Sequence, residues 1–429
     1  MMMRHGTIAG LLRRNGEWLG RFSALGALAA TLVAGSFAQT NTLIILNISG
    51  DRAISSSAYR LSEGNTPYVV GRYDSGTFFA QPYAFRAQVD PSGSYAIQVT
   101  VPNAIAFGVN DQGWFVGRDT QAQKGFLWHP TFGKQLIPHP GDSSQYTYDA
   151  YDINNSGAIV GRALGGGFGS PPNPGGFVSY YNSSMNSFSS YYLDQTGTNY
   201  YASGVANTIN NAGIAAGGKP SNASSGDTPP HDTANEVGGW VGLTGAGGGS
   251  WVGAPTVPTP SGGGMIWDIS EGNPPQYAAG WSATGSPVAW WWNGSGYAMT
   301  NLPVPAGLVV GYAQGVNDYG YIVGFARDSL GTTQRALLWI PVGVGSWAVI
   351  DLNSLPGVAG SGWTLSAAYD INNGDGSCFW IVGQAYQFDG SRYWYRPYAL
   401  HFCVVPEPAS MVALGSGLVS LLALRRRRR

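Results

Sequence analysis

The sequence predicts an all-β chain: a propeller of seven four-stranded blades, the last closed by a strand from near the N-terminus. Three observations lead there. A hairpin signature recurs seven times between Ala58 and Gln384. Each copy is followed by an aromatic strand and, in all but the last, by a further short apolar segment. Finally, 64 glycines, 13% aromatic residues and only 10% charged residues suit many short strands and tight turns, and no helical periodicity is sustained between the chain ends. A different β-repeat array is the alternative that the pattern leaves open.

The type copy is "AYDINNSGAIVGRA" from Ala150. The others are "AYRLSEGNTPYVVGR" from Ala58, "AFGVNDQGWFVGR" from Ala106, "ANTINNAGIAAGG" from Ala206, "IWDISEGNPPQYAAGW" from Ile266, "AQGVNDYGYIVGF" from Ala313 and "AYDINNGDGSCFWIVGQ" from Ala368. The copies close on Gly71, Gly117, Gly161, Gly217, Gly280, Gly324 and Gly383, about 44 to 63 residues apart, within or above propeller-blade spacing. In each, an apolar residue such as Val109 or Ile153 ends the first strand. A turn follows: Asn110 to Gly113, Asn154 to Gly157, Asn210 to Gly213 and Asn317 to Gly320. Asn initiates a turn by bonding its own backbone, and Gly supplies the positive φ that closes it. The closing glycine of the second strand allows another backbone to approach.

The aromatic strands read "YAFRA", "GFLWH", "GFVSY", "GGWVG", "VAWWW", "ALLWI" and "YALHF". Fourth strands are expected at "YAIQVTV", "KQLIP", "FSSYYLD", "SWVGAP", "GYAMTNL" and "SWAVIDL". Four strands per repeat is propeller logic. After "YALHFC" no fourth strand remains, while "TLIILNIS", Thr42 to Ser49, stands alone at the other end. The expectation is that it completes the last blade and covers both sheet edges.

The repeats resemble the HAF family of extracellular repeats, "GINNxGxVVG…HAFLW". The matching residues are Val109 to Gly113, Ile153 to Gly157 and Val316 to Gly320, with later triplets Tyr83-Ala84-Phe85, Arg335-Ala336-Leu337 and Tyr398-Ala399-Leu400. No copy has the leading His, and two have "SEGN" in place of the Asn turn. The resemblance implies an exported repeat protein and no defined reaction.

Both ends carry addresses. Arg4, Arg13, Arg14 and Arg21 precede an apolar run from Ala24, and Ser36 and Ala38 occupy the two positions a signal peptidase reads, which divides the chain as a signal peptide over 1–38, a repeat body over 39–404 and a tail over 405–429. The long basic region leaves an uncleaved anchor open. In the tail, Pro406 and Pro408 exclude helix, Met411 to Leu424 fits a short hydrophobic helix, and Arg425 to Arg429 forms a basic block. At about 1.5 Å per residue the apolar run spans about 20–25 Å, short for a bilayer of about 30 Å unless the arginines snorkel. Those arginines would remain cytoplasmic. Val405-Pro406-Glu407-Pro408, the helix and the Arg cluster together resemble a PEP-CTERM sorting signal. The resemblance implies transient membrane anchoring, processing by an exosortase, and release to the cell surface or an extracellular polysaccharide matrix. A tail of this kind also ends some ice-binding proteins, but the repeats contain no flat, Thr-rich array.

Nine of the 22 basic residues but two of the 23 acidic ones lie in these ends, so the body carries a net charge of about −8 and is no candidate for nucleic acid. No H-E-x-x-H, Walker loop or G-x-S-x-G occurs. "DINNSG" opens like a calcium loop, but Ala163 stands where the closing acid belongs, which favours a turn over calcium and predicts no cofactor. His231 lies among Asp227, Asp232 and Glu236 in a Gly/Pro/Ser-rich insertion and reads as a solvated loop. Cys378 and Cys403 fall on neighbouring strands and, in an exported protein, can form a disulfide; two buried thiols are the alternative. Trp290 and Trp292 share one strand face, so they either fill core or stack on sugar rings.

These readings favour a non-catalytic surface or matrix protein that binds extracellular polysaccharide or another surface protein. The rival is a polysaccharide-degrading glycosidase or lyase. It would bring carboxylates from different blades into a central pocket, whereas Asp111, Asp152, Asp268, Asp318 and Asp370 read here as turn formers.

Overall fold

The computed structural model describes residues 41–48, 56–74, 81–140, 142–164, 174–192, 205–220, 236–243, 257–258, 260 and 263–404. The two expected terminal helices, Ser36, Ala38, Val405 to Pro408, His231 and the "SWVGAP" segment lie outside these residues. Among the described residues no helix is long and apolar enough to cross a membrane.

Each signature copy forms the first two strands of an antiparallel sheet. The first sheet runs Ser56–Leu61, Tyr68–Asp74, Pro82–Val89, Tyr95–Pro102, and the second Ala104–Val109, Phe115–Asp119, Lys124–His129, Gly133–Leu136. The third is Asp149–Ile153, Ala158–Leu164, Pro174–Asn182, Ser187–Tyr192. The fourth, Val205–Ile209, Ile214–Pro220, Glu236–Leu243, has three strands among the described residues. The fifth is Gly264–Ile269, Tyr277–Ser282, Pro287–Trp292, Tyr297–Asn301, and the sixth Val310–Val316, Ile322–Arg327, Gln334–Gly343, Ser346–Asp351. The last is Thr364–Ile371, Cys378–Phe388, Tyr393–Cys403, with Thr42–Ile45 as its fourth strand. Six complete blades therefore form an all-β propeller. A ribbon of Pro138–His139 with Asp142–Tyr146 and a 3₁₀ turn at Leu352–Ser354 carry no repeat signature and were not expected.

The closing strand joins the two ends of the body. Thr42 stands opposite His401 and Ile45 opposite Tyr398, antiparallel. Ile44 and Leu46 are buried with Trp380, Val382 and Ala399 of the last sheet and with Phe85 and Val89 of the first. Similar apolar clusters lie between neighbouring sheets elsewhere, such as Val70, Ala84, Ala106 and Phe126 between the first and second. Hydrophobic burial between faces thus holds the sheets together, at roughly 25 cal/mol per Å² of apolar surface.

The first strand pair of every sheet contains the same irregularity. The closing glycine faces Ala58, Ala106, Ala150, Ala206, Ile266, Ala313 or Ala368, and the register then slips by one residue. A Cβ on any of these glycines would lie 1.8 to 2.1 Å from a carbonyl oxygen of the neighbouring strand, so only glycine fits. The bulge interrupts the in–out alternation of the inner strand. Tyr59 and Arg60, consecutive in sequence, both line the channel along the propeller axis.

The sugar-stacking alternative loses Trp290 here. Trp290 is fully buried among Ile266, Val288 and Tyr297, and its Nε1 donates to the Pro258 carbonyl at 2.8 Å. It has no face left for a sugar. Trp292 packs half-buried on the same cluster. The position is core because Ile214 and Ala216 of the preceding sheet close over it.

Candidate functional site

The axial channel gathers the residue two places before each signature Asn (Ser in the first and fifth copies). In chain order these are Arg60, Gly108, Asp152, Thr208, Asp268, Gly315 and Asp370. Arg60, supplied by the first sheet, reaches across the axis. Its Nη2 lies 2.9 Å from Asp152, 2.7 Å from Asp268 and 2.9 Å from the Thr208 hydroxyl, and its Nη1 lies 3.7 Å from Asp370. Each aspartate also accepts the backbone N–H of the following sheet: Ile209 to Asp152, Val316 to Asp268 and Leu61 to Asp370. The two glycines make room. A Cβ on Gly108 would meet the Asp152 Cα at 2.6 Å, and one on Gly315 the Asp370 Cα at 2.8 Å.

Above this plug, on the hairpin-turn side, a funnel of about 580 Å³ opens to solvent. The signature Asn residues organise its rim. The side-chain oxygen of Asn154 accepts from the backbone N–H of Ser156 and Ala158, while its amide donates to the Asn210 carbonyl of the next sheet. Asn110, Asn210, Asn317 and Asn372 tie their neighbours in the same way. Gly113, Gly157, Gly213 and Gly320 hold φ between +74° and +80° in these turns. In the "SEGN" copies Ser62 and Ser270 take over the local bond, accepting from Tyr68 and Tyr277.

One residue further on, the turns join in a closed circuit. The backbone N–H of Glu63 donates to Asp111, Asp111 to Asn155, Asn155 to Asn211, Asn211 to Glu271, Glu271 to Asp318, Asp318 to Asn373, and Asn373 back to Glu63, at 2.7 to 2.9 Å. This corrects the turn-former reading of the five aspartates. Asp111 and Asp318 bridge neighbouring sheets, and Asp152, Asp268 and Asp370 point at the axis. The carboxylate cluster that a glycan-cleaving propeller would need is therefore present.

Among the described residues, seven acids and one arginine line this funnel. Burial raises Asp152 and Asp370 above the ordinary carboxylate range, Asp370 to about 7, although Arg60 opposes the shift in both. Glu63, at the partly solvated rim, is pushed to about 8 by desolvation, and Asp370, Asp111 and Asp318 add to the rise. Burial also raises Glu271 and Asp318. Glu63 and Asp370 thus bind protons more tightly folded than unfolded. Their contribution to stability is full below about pH 4, the unfolded carboxylate range, and is lost as pH rises through about 7 to 8. The melting temperature is expected to fall between pH 5 and pH 8, and Glu63→Gln to flatten the upper part of that fall. Superimposable profiles of parent and variant would refute the assignment.

Below the plug, the bulged residues form a second recess of about 460 Å³, including its open mouth. Tyr369, Tyr59, Phe107 and Tyr151 make a continuous arc, with neighbouring ring centroids 5.3 to 6.0 Å apart. Asn207, Trp267 and Gln314 complete the circle.

Cys378 and Cys403 stand opposite each other in the last sheet and are joined by a disulfide. His401 lies beside them, but sulfurs bonded to each other offer no thiolate to a metal. Arg60 and the acidic rim were missed as a unit by sequence reading. Aligning the copies two places before the signature Asn would have set one Arg against three Asp.

A PEP-CTERM protein-sorting motif matches residues 404–428. The motif implies export, exosortase processing and sorting to the cell surface. Among curated proteins none matches the chain. Among solved structures, virginiamycin B lyase from Staphylococcus aureus is similar at 12% identity and TM-score 0.43, covering 86% of this chain and 100% of its own. Apo AztD from Citrobacter koseri is similar at 12% identity and TM-score 0.37, covering 79% and 82%, and YjhT at 8% and 0.35, covering 80% and 99%.

Proposed function

We propose that the chain is a surface or matrix protein whose body, a seven-bladed propeller of HAF-like repeats, binds extracellular polysaccharide without cleaving it. Its sorting tail is held in the membrane transiently and then processed. The blade count is supported by the circuit of hydrogen bonds, which passes through seven turns before closing. The fourth sheet, three-stranded among the described residues, is counted as a blade; the fourth strand expected at "SWVGAP" lies outside those residues.

The observation that carries the non-catalytic reading is the engagement of the channel acids. The rim acids Glu63, Asp111, Glu271 and Asp318 each accept a neighbouring turn's N–H, and the axial aspartates share Arg60 while capping backbone groups. Such carboxylates serve assembly of the ring. A glycosidase reading is favoured by the convergence of carboxylates in the funnel, where burial raises Glu63 and Asp370 toward neutrality, as suits a general acid. The test is co-sedimentation of the purified body, residues 39–404, with extracellular polysaccharide from the producing cells. Saturable binding is expected. Its absence would leave a partner protein as the ligand.

A further inference from the structure

The lower recess contains two groups that the fold does not use. Asn207 is 7% exposed and Gln314 2% exposed, and the side-chain oxygens of both have no hydrogen-bond partner. The Asn207 amide nitrogen is occupied, donating to the Ile266 carbonyl at 2.9 Å. A buried carbonyl oxygen without a donor costs about 1–3 kcal/mol. A bulge position needs no particular side chain, so two buried side-chain oxygens without a donor call for a ligand that supplies donors.

Their placement indicates its class. Around the axis Asn207 and Gln314 flank Trp267, which keeps part of its surface in solvent, while the Tyr369–Tyr59–Phe107–Tyr151 arc forms the opposite wall. Aromatic side chains with hydrogen-bond acceptors among them suit a ring that is apolar on its face and carries hydroxyls at its edge. The floor is Arg60, whose three aspartates lie on the funnel side and already pair with it, so a ligand carboxylate would have to compete with them for its charge. A quaternary ammonium would suit the rings but has no proton to give the amides.

We propose that this recess binds the neutral ring of a single sugar unit, presented at the end of a hydroxyl-rich glycan. The proposal rests on the polysaccharide-binding reading and adds to it the place and the class of sugar.

The test uses the exported protein and the methyl glycosides of glucose, galactose, mannose and N-acetylglucosamine. Binding is followed by saturation-transfer NMR and tryptophan fluorescence, with glucuronate and tetramethylammonium as comparison ligands. At least one neutral glycoside is expected to bind saturably. Trp267→Ala and Gln314→Leu should each weaken it about tenfold, and Trp292→Ala should not. Trp267→Phe should keep the NMR signal and lose most of the fluorescence response. Gln314→Leu removes an unsatisfied oxygen, so it should melt at or above the parent temperature, which separates lost binding from lost folding. Failure of every glycoside, equal binding by Trp267→Ala and Gln314→Leu, or preference for glucuronate or tetramethylammonium would overturn the proposal. Co-sedimentation with polysaccharide in parallel separates the two claims. Polysaccharide binding that survives both recess variants overturns the recess alone. Glycoside binding without polysaccharide binding supports the recess and overturns the matrix reading.

Discussion

Replacing Arg60 by methionine is expected to destabilise the body by about 3–5 kcal/mol, the usual consequence of removing one partner from a buried charge cluster. Asp152, Asp268 and Asp370 are almost fully buried, and Arg60 is the cation common to all three. Methionine fills a similar volume and takes away only the charge and the donors. The three carboxylates then repel one another in a site with little water. Burial already favours the protonated forms of Asp370 and Asp152 and Arg60 opposes them, so without Arg60 their protonation relieves the repulsion and the variant should regain stability as pH falls from 8 to 5. A urea denaturation series at pH 8 and pH 5 measures both effects. A variant within about 1 kcal/mol of the parent at pH 8 would mean that the aspartates are neutral or solvated without Arg60.

The second large effect concerns ring closure. A chain beginning at residue 49 lacks Thr42–Ile45 and the following Leu46, hence the buried side chains of Ile44 and Leu46. At about 2–3 kcal/mol for each large aliphatic side chain, a loss of about 5 kcal/mol is expected. The deletion also exposes the edge of Tyr393–Cys403, whose backbone groups then invite pairing with another chain. Light scattering should show association of the shortened chain, and a peptide of residues 41–48 added back should suppress it. A shortened chain that stays monodisperse and keeps its urea midpoint would show that the strand is dispensable.

The contrast between these two sites explains what sequence could and could not reveal. The closing strand was legible because an apolar run without a repeat at one end matched a repeat without a fourth strand at the other. The hairpins were legible because Asn, Gly and a β-branched residue recur at fixed offsets with a local physical reason. The Arg60 cluster depends instead on four residues up to 310 positions apart meeting on one axis. Only the bulge opposite each closing glycine turns them inward, and the glycine alone hints at it. The same bulge hid the aromatic recess, since Tyr59, Phe107 and Tyr151 read as ordinary alternating strand positions. The Trp290–Trp292 strand shows the reverse case: a conspicuous run of tryptophans whose first member the preceding sheet buries.

The central claim is that the channel acids hold the ring together and do not cut glycans. Its most direct test is a reducing-end assay on the polysaccharide of the producing cells, from pH 5 to pH 8, using the parent and Glu63→Gln. The account predicts no release above buffer from either protein while the parent remains bound to the polysaccharide. Release by the parent that Glu63→Gln abolishes, with both proteins folded, would contradict it and make Glu63 a catalytic acid.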